Sequence, residues 1–182
     1  GERSEIRDHY NQLTFTLVSG AAPKRSILVT FRAYDQGLAF CYTIPEQAGI
    51  DSLRIDRERS EFRFADNHPT WVAYRAQADY AAARLSDVRQ GCERPLTMQA
   101  GEDLYLAIGE ARLVDFARMK FAPLPDVPHG LVSHLDGPVQ THLPITTPWR
   151  VIMAAQSPGE LLENNSIFLN LNDPCAIGDT SW

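Results

Sequence analysis

Short stretches in which apolar and polar side chains alternate recur along most of the chain. Alternation with a period of two places successive side chains on opposite faces of a β-strand. Ten stretches show the pattern, at residues 13–18, 26–34, 38–44, 52–56, 60–65, 71–76, 96–100, 104–113, 149–155 and 166–172. Turn-forming residues separate many of them, as in Asp-Gln-Gly at 35–37. The pattern predicts an all-β fold, a sandwich of two facing, mostly antiparallel sheets.

Three segments depart from this alternation. The stretch SPGELLENN at residues 157–165 predicts a helix of one or two turns, with Ser157 as N-cap, Pro158 at the first helical position and Glu160 in the capping-box place. Residues 74–95 are rich in alanine, and residues 121–148 carry six of the twelve prolines. We expect these two segments to be long irregular loops, which are usually functional or mobile.

Composition and charge limit the classes of protein to which the chain can belong. The chain has 182 residues, of which 44% are hydrophobic and 22% charged, enough for one domain with its own core. Its formal net charge is −6, and its basic residues are scattered among acids, so we expect no nucleic-acid partner. No apolar stretch is long enough to span a bilayer. The first residues do not resemble an export signal, so we expect that any such signal has been removed or lies upstream of residue 1.

Glu110 lies within an otherwise apolar stretch, LYLAIGEARLVDFARM at residues 104–119. Burying an unpaired carboxylate costs several kcal/mol. Either Glu110 faces solvent, where it could pair with Arg112 two positions on, or a cation compensates its charge. The pattern alone favours the first interpretation.

Other residues that could carry chemistry have simpler interpretations. His129, His134 and His142 lack the spacing of a zinc site, and we expect solvated loop histidines. The sequence contains no Gly-x-Ser-x-Gly elbow and no Gly-rich phosphate loop, so a nucleophilic or phosphate-binding site is not indicated.

The tryptophans and cysteines leave alternatives open. The tryptophans Trp71, Trp149 and Trp182 could form a platform for stacking sugar rings, although burial in the core is more typical, above all for a tryptophan that begins a strand. Cys41 is expected to be a buried free thiol. A disulfide between Cys92 and Cys175 is compatible with an exported protein.

A series of motifs resembles the N-terminal β-sandwich domain of glycoside hydrolase family 97. In chain order they are FRAYDQGLAFCYTIP (31–45), DNHPTWVAY (66–74), PLTM (95–98), EARLVDF (110–116), PWR (148–150), LNLNDPC (169–175) and DTSW (179–182). The order and spacing match over nearly the whole chain, so the resemblance is specific.

The resemblance implies a galactose-mutarotase-like supersandwich that precedes a catalytic (β/α)₈ barrel. Residues 1–182 would then be part of a periplasmic or secreted, exo-acting α-glycosidase, α-glucosidase-like or α-galactosidase-like, whose substrate is an oligosaccharide or α-glycoside. The domain's first strands would precede residue 1 and the barrel would follow residue 182. Because the family's catalytic carboxylates belong to the barrel, residues 1–182 would be inactive alone.

The resemblance also assigns a metal ligand. Family members use an active-site Ca²⁺, which binds barrel glutamates and one glutamate from the sandwich, and the motif EARLVDF matches that glutamate to Glu110. Glu110 would then lie at an open face of the sandwich, and Glu110→Gln would barely change stability. The chain departs from the common family pattern at Gln77, Gly109 and Phe116.

Two other functions are compatible with the sequence. The chain could be an independent carbohydrate-binding module without a catalytic role, or a purely structural domain in which Glu110 is solvated. Barrel residues would decide the choice between glucoside and galactoside, and between inversion and retention.

Overall fold

The computed structural model describes residues 6–174 and 176–178, which form fourteen strands and two short α-helices. The strands are β1 (Asn11–Val18), β2 (Ser26–Tyr34), β3 (Gly37–Ile44), β4 (Ser52–Ile55), β5 (Glu61–Arg63), β6 (Pro69–Val72), β7 (Ala81–Arg84), β8 (Leu96–Gly101), β9 (Leu104–Ala111), β10 (Met119–Pro123), β11 (Gly130–Leu135), β12 (Val139–His142), β13 (Ile145–Thr146) and β14 (Trp149–Ala155). The helices are α1 (Pro158–Glu163) and α2 (Ser166–Asn170), and a 3₁₀ turn spans Leu85–Asp87.

The strands form one large sheet and a smaller one that faces it. The large sheet has nine strands in the order β1-β2-β3-β14-β9-β8-β6-β7, with β13 paired to the end of β3. The smaller sheet has the order β10-β11-β5, and β4 and β12 form a separate pair. The pairings are antiparallel, which confirms the predicted all-β sandwich.

Alternation along the central strand β14 divides the core into two layers. Trp149, Val151 and Met153 pack with the small residues of β3 and β9 on the face that α1 and α2 cover. Ile152 packs on the opposite face, toward the smaller sheet. Both faces of the central strands are therefore buried, and a polar side chain there needs a partner inside the protein.

The layer between the two sheets is built largely from aromatic and aliphatic side chains. Phe62 of β5 contacts Phe40 of β3 and Phe121 of β10, with ring centroids 6.3 Å and 5.8 Å apart. Met98, Ile108 and other buried side chains complete it. Burial of each side chain of this size stabilises the folded state by about 1.5–3 kcal/mol. The packing of this layer therefore holds the two sheets together.

The predicted helix at residues 157–165 is present as α1. The Ser157 hydroxyl accepts a hydrogen bond from the Glu160 backbone N–H at 3.2 Å, and Pro158 is the first helical residue. The Glu160 carboxylate accepts from the Gln156 N–H at 2.7 Å. Local capping residues therefore determine where this helix begins.

The predicted strand at residues 166–172 is wrong, because this segment contains α2. In a strand, Ile167, Leu169 and Leu171 would share one face. Ile167 and Leu171 are buried, whereas Leu169 is 59% exposed, as a helical spacing of four requires. Backbone hydrogen bonds from Ile167 and Phe168 to the carbonyls of residues 164 and 165 close the turn. A stretch of seven residues is too short for its apolar positions to separate the two periods.

The two predicted loops are also partly wrong. Residues 74–95 include β7 and the 3₁₀ turn, and residues 121–148 include β11, β12 and β13 and most of β10. Pro123 ends β10, and Pro138 and Pro144 directly precede β12 and β13. Prolines at the ends of strands remove no hydrogen bond from the centre of a sheet. The prolines therefore lie at strand ends, and the prediction of a long loop missed the strands that the prolines border.

The other predicted strands are present, and those at Ser26–Tyr34 and Trp149–Ala155 have the predicted ends. The strand predicted at residues 71–76 is shifted, because β6 ends at Val72 and residues 73–76 are irregular. Neither α-helix of the described residues is long and apolar enough to cross a membrane.

The cysteines of the described residues are buried free thiols. Cys41 is 3% exposed and Cys92 is fully buried, and burial raises the pKa of each thiol to about 11. The possible partner of Cys92 in a disulfide, Cys175, lies outside the described residues.

We predict that substitutions in α2 separate its buried and exposed positions. Ile167→Ala should lower the free energy of unfolding by about 2–5 kcal/mol because it leaves a cavity. Leu169→Ala, the matched control, should change it by less than about 0.5 kcal/mol. Urea denaturation measures both, and equal losses would indicate a strand that buries both side chains.

We predict that Cys41 and Cys92 resist alkylation in the folded protein. The reactive species is the thiolate, which is scarce at neutral pH when the thiol is buried and its pKa is raised to about 11. Iodoacetamide labelling followed by peptide mapping should modify both residues in denaturant and neither in buffer. Rapid labelling of either one in buffer would contradict the burial of that thiol.

Candidate functional site

Glu110 lies in β9 directly opposite Arg150 of the neighbouring strand β14. Its side chain is only 3% exposed, so the expectation of an open position is wrong. The Arg150 guanidinium, which is fully buried, donates from Nη1 to Glu110 Oε2 at 2.7 Å. The cation that the apolar surroundings of Glu110 require is therefore supplied from across the sheet.

The suggested partner Arg112 points elsewhere. The backbone leaves β9 at Ala111, and Arg112 has a positive φ of 56°. Its Nε lies 3.0 and 3.1 Å from the two carboxylate oxygens of Asp173, and its backbone N–H donates to the Asn172 side chain at 2.9 Å. Pairing of Arg112 with Glu110 is therefore ruled out by the end of the strand, which turns Arg112 away.

Arg150 is held by a second carboxylate on its other side. Its Nε donates to Glu58 Oε1 at 2.8 Å and its Nη2 donates to Glu58 Oε2. Burial opposes the charge of Arg150, but the hydrogen bonds and charges of Glu58 and Glu110 outweigh burial and raise the pKa of the guanidinium. One buried cation thus lies between two buried carboxylates.

The two oxygens of Glu110 have different surroundings. Oε2 accepts hydrogen bonds from Arg150 and from the Met119 backbone N–H at 3.0 Å. Oε1 makes an ion pair with Nε of Arg94 but has no hydrogen bond of acceptable direction. Two hydrogen-bond donors therefore hold Oε2, whereas the partner of Oε1 is the Arg94 side chain.

These contacts belong to a longer series, which we call the ion-pair network. Arg94 pairs with Glu93 at 3.1 Å, and Glu93 with Arg118 and Lys120, each at 3.3 Å. Both basic residues reach Asp136, at 2.7 and 3.0 Å. The network consists of Glu58, Arg150, Glu110, Arg94, Glu93, Arg118, Lys120 and Asp136. Positive and negative groups alternate along it from the buried Arg150 to the half-exposed Asp136.

Two cavities meet at Arg94, which lines both. One, of about 380 Å³, is lined by Gln77, Tyr80 and Glu93 among others. The other, of about 530 Å³, lies against α1 and α2 and is bordered by Glu110 and Phe168. A Cβ atom at Gly109 would come within 2.9 Å of the Phe168 ring. The glycine at this position therefore leaves room for that ring.

A family model described as the glycosyl hydrolase 97 N-terminal domain matches residues 1–174. The chain belongs to glycoside hydrolase family 97. Among solved structures, a family 97 enzyme from Pseudoalteromonas sp. strain K8 in complex with acarbose is 30% identical, with a TM-score of 0.90. A glutamate-to-glutamine variant in complex with panose gives the same values, and an arginine-to-lysine variant is 29% identical.

These matches cover 100% of this chain and 29% of each solved enzyme. The chain thus spans less than a third of the length of the enzymes that it resembles. The high TM-score confirms the predicted family and fold.

Glu110 is the residue that the sequence resemblance assigns to a metal ion. Among residues 6–174 and 176–178, no three His, Cys, Asp or Glu side chains are grouped to hold a metal ion. The Oε1 atom of Glu110 fits one bond to a hard cation only if the guanidinium of Arg94, its present partner, moves aside. A calcium ion takes six to eight oxygen ligands, so the others would come from outside these residues.

The histidines lie on separate elements. His134 is in β11 and His142 is in β12, where its Nδ1 lies 3.1 Å from the Asp51 carbonyl oxygen. His129 is in the turn before β11. The expectation of three loop histidines is thus wrong for His134 and His142, because strands were missed there.

The tryptophans do not form a platform in the described residues. Trp149 is buried in the core, as expected, with the Arg32 guanidinium 4.8 Å from its ring centroid. Trp71 is half-buried in β6, and Trp182 lies outside the described residues. Trp149 is therefore unavailable for stacking on a sugar.

Sequence reasoning missed the other members of the ion-pair network. Arg150 had a detectable signal, because it stands between Trp149 and Val151 in a strand whose alternate positions are apolar on both sides. A cation there predicts a buried carboxylate on a neighbouring strand. Glu58 and Arg94 lie outside the strands, and their contacts depend on how loops return to the sheet.

We predict that the outer end of the network loses its contribution in acid. Hydrogen bonds from Lys120, and then Arg118, lower the pKa of Asp136. A lowered pKa in the folded state gives stability above the unfolded pKa that is lost as pH falls through the folded pKa. Asp136→Asn should cost less than about 1 kcal/mol at pH 7, because Asp136 is partly exposed.

The cost of Asp136→Asn should begin to shrink near pH 4, where aspartate protonates in the unfolded chain, and should vanish only below the lowered pKa of folded Asp136. Urea denaturation of wild type and variant across this range measures it. A cost that grew on acidification would contradict the assignment.

Proposed function

We propose that this chain is the N-terminal domain of a calcium-dependent, exo-acting α-glycosidase, in which it packs on a catalytic barrel of the same polypeptide and Glu110 donates one calcium ligand. Membership of family 97 supports a glycosidase. The relatives in complex with acarbose and panose support an oligosaccharide substrate. The sequence resemblance leaves open whether an α-glucoside or an α-galactoside is cleaved. The domain itself would be inactive, because the resemblance places the catalytic carboxylates in the barrel.

The observation that carries the proposal is the unequal use of the Glu110 oxygens. Arg150 and the Met119 N–H fix the carboxylate through Oε2, while the partner of Oε1 is the Arg94 guanidinium. A buried carboxylate oxygen needs a positive partner, which Arg94 supplies in this structure and a metal ion could supply in its place. Calcium prefers carboxylate oxygens, and it would serve as a Lewis acid or template beside the sugar. The chain's own residues would bind and orient that ion.

Arg94 would have to move when the ion binds. Its Nε now contacts the oxygen that a cation would use. Glu93 lies within reach of the same guanidinium, with Nη1 3.1 Å from Oε2. Arg94 could therefore leave Glu110 and keep an anionic partner.

A second candidate is an independent carbohydrate-binding module. The cavity of about 380 Å³ beside the exposed Tyr80 offers a place for a sugar ring. Calorimetric titration of the isolated chain with malto-oligosaccharides and galactosides separates the candidates. A binding module should bind one of them without a barrel, and the glycosidase proposal expects no useful affinity.

We also propose that the enzyme is periplasmic or secreted, since an exported glycosidase would meet oligosaccharides from outside the cell. Fractionation of cells that express the native gene tests this. Activity confined to the cytoplasmic fraction would contradict it.

We predict that Glu110→Gln in the full-length enzyme lowers calcium affinity and activity together. Loss of a ligand that orients the ion misplaces the reacting groups, which can cost on the order of 100-fold in rate. The matched control is Glu61→Gln, which removes an exposed carboxylate paired with Arg63 and should leave both unchanged. Calcium titration followed by calorimetry and by activity measures the effects.

The same variant should also lose stability, contrary to the expectation from sequence. Removing one partner of a buried ion pair costs about 3–5 kcal/mol, and the amide, which keeps the shape and the Met119 contact, should cost less. Affinity is therefore compared at a temperature where both proteins are folded. Wild-type calcium dependence in Glu110→Gln would show that Glu110 is not a ligand.

A further inference from the structure

Glu110 is connected to a rigid set of groups deep in the sandwich. Arg150 is 0% exposed, and its planar fork meets Glu58 through two parallel contacts and Glu110 through a third. Such a two-point contact sets the angle of a guanidinium as well as its position. The orientation of Glu110 therefore depends on Glu58, which does not touch it.

Glu58 is itself held by hydroxyl groups that connect it to both sheets. The Ser60 hydroxyl donates to Glu58 Oε1 at 2.8 Å, and the Tyr42 hydroxyl is 2.9 Å from that hydroxyl. The Ser133 hydroxyl donates to the Glu58 carbonyl at 2.9 Å and accepts from the Ser60 N–H at 3.0 Å. A continuous series of hydrogen bonds thus links β3 and β11 to the Glu110 carboxylate.

We propose that Glu58 and Arg150 are positioning residues, which hold the Glu110 carboxylate so that Oε1 is presented to the metal ion. The inference rests on the proposed function of Glu110. Hydrogen-bonding partners of a ligating carboxylate fix its orientation and raise metal affinity. Here they contact Oε2 alone, and the partner of Oε1 is the Arg94 guanidinium, which a metal ion would replace.

The burial of these groups supports a role beyond stability. A buried ion pair is often no more stable than a well-packed apolar pair of the same volume, since desolvation offsets the attraction. An apolar pair would give no direction to Glu110. What the Glu58–Arg150 pair adds is a defined angle for the third group that it contacts.

The test uses the full-length enzyme stripped of metal, with calcium chloride as the titrant and calorimetry as the readout. Glu58→Gln replaces one oxygen by a donor and disrupts the two-point contact with Arg150. We expect calcium binding 10- to 100-fold weaker, the usual effect of losing an outer partner of a metal ligand. The control is Glu61→Gln, the same change at a carboxylate outside the ion-pair network, and it should bind calcium as wild type does.

Further variants separate positioning from folding. Arg150→Lys should bind calcium more tightly than Arg150→Met, because an ammonium retains the charge and one contact to Glu110. If Arg150→Met does not fold, Glu58→Gln and the milder Ser60→Ala decide the question. A folded Glu58→Gln enzyme with wild-type calcium affinity, beside a Glu110→Gln enzyme that has lost it, would overturn the positioning role alone. Wild-type affinity in Glu110→Gln would overturn the proposed function and this inference with it.

Discussion

The buried guanidinium of Arg150 is the interaction on which the rest of the structure depends. It lies in the central strand of the nine-stranded sheet, where side chains on both faces are buried. A charge in that position is tolerated only with close partners, because the effective cost of desolvating an ion is several kcal/mol. Glu110 comes from the adjacent strand and Glu58 from the segment that leads into the smaller sheet. Because Arg150 needs both carboxylates as partners, it connects the two sheets.

Much of this architecture could be predicted from the sequence. The exact prediction of β2 and β14 shows how well a run of seven or more strand-forming residues defines a strand, even where both faces are largely buried. The capping residues of α1 were equally informative, because they act through local hydrogen bonds. Segment 166–172 could not be assigned, since its length did not separate a period of two from one of 3.6, and tertiary burial of Ile167 and Leu171 decided it.

The site was predictable in kind but not in detail. An acid in an apolar strand had to face solvent or a cation, and the second alternative proved correct. The identity of the cation depended on register, which places Arg150 opposite Glu110 forty residues away. Strand register of this type follows from the packing of the whole sheet. Resemblance identified Glu110 as the residue of interest, but no local pattern contained its partners.

The ion-pair network suggests how one domain can contribute to a site that it does not contain. A carboxylate on a mobile side chain would lose conformational entropy each time it bound an ion. A carboxylate that is fixed in a sheet has already lost that entropy during folding. In exchange, Glu110 Oε1 is buried without a hydrogen bond of acceptable direction, and the Arg94 guanidinium compensates its charge. Arg94 also lines two cavities, which leave its side chain room to move. Arrival of a cation at that oxygen would exchange one positive partner for another. The interior of the sandwich would then need no rearrangement, because the groups that orient Glu110 contact only its other oxygen.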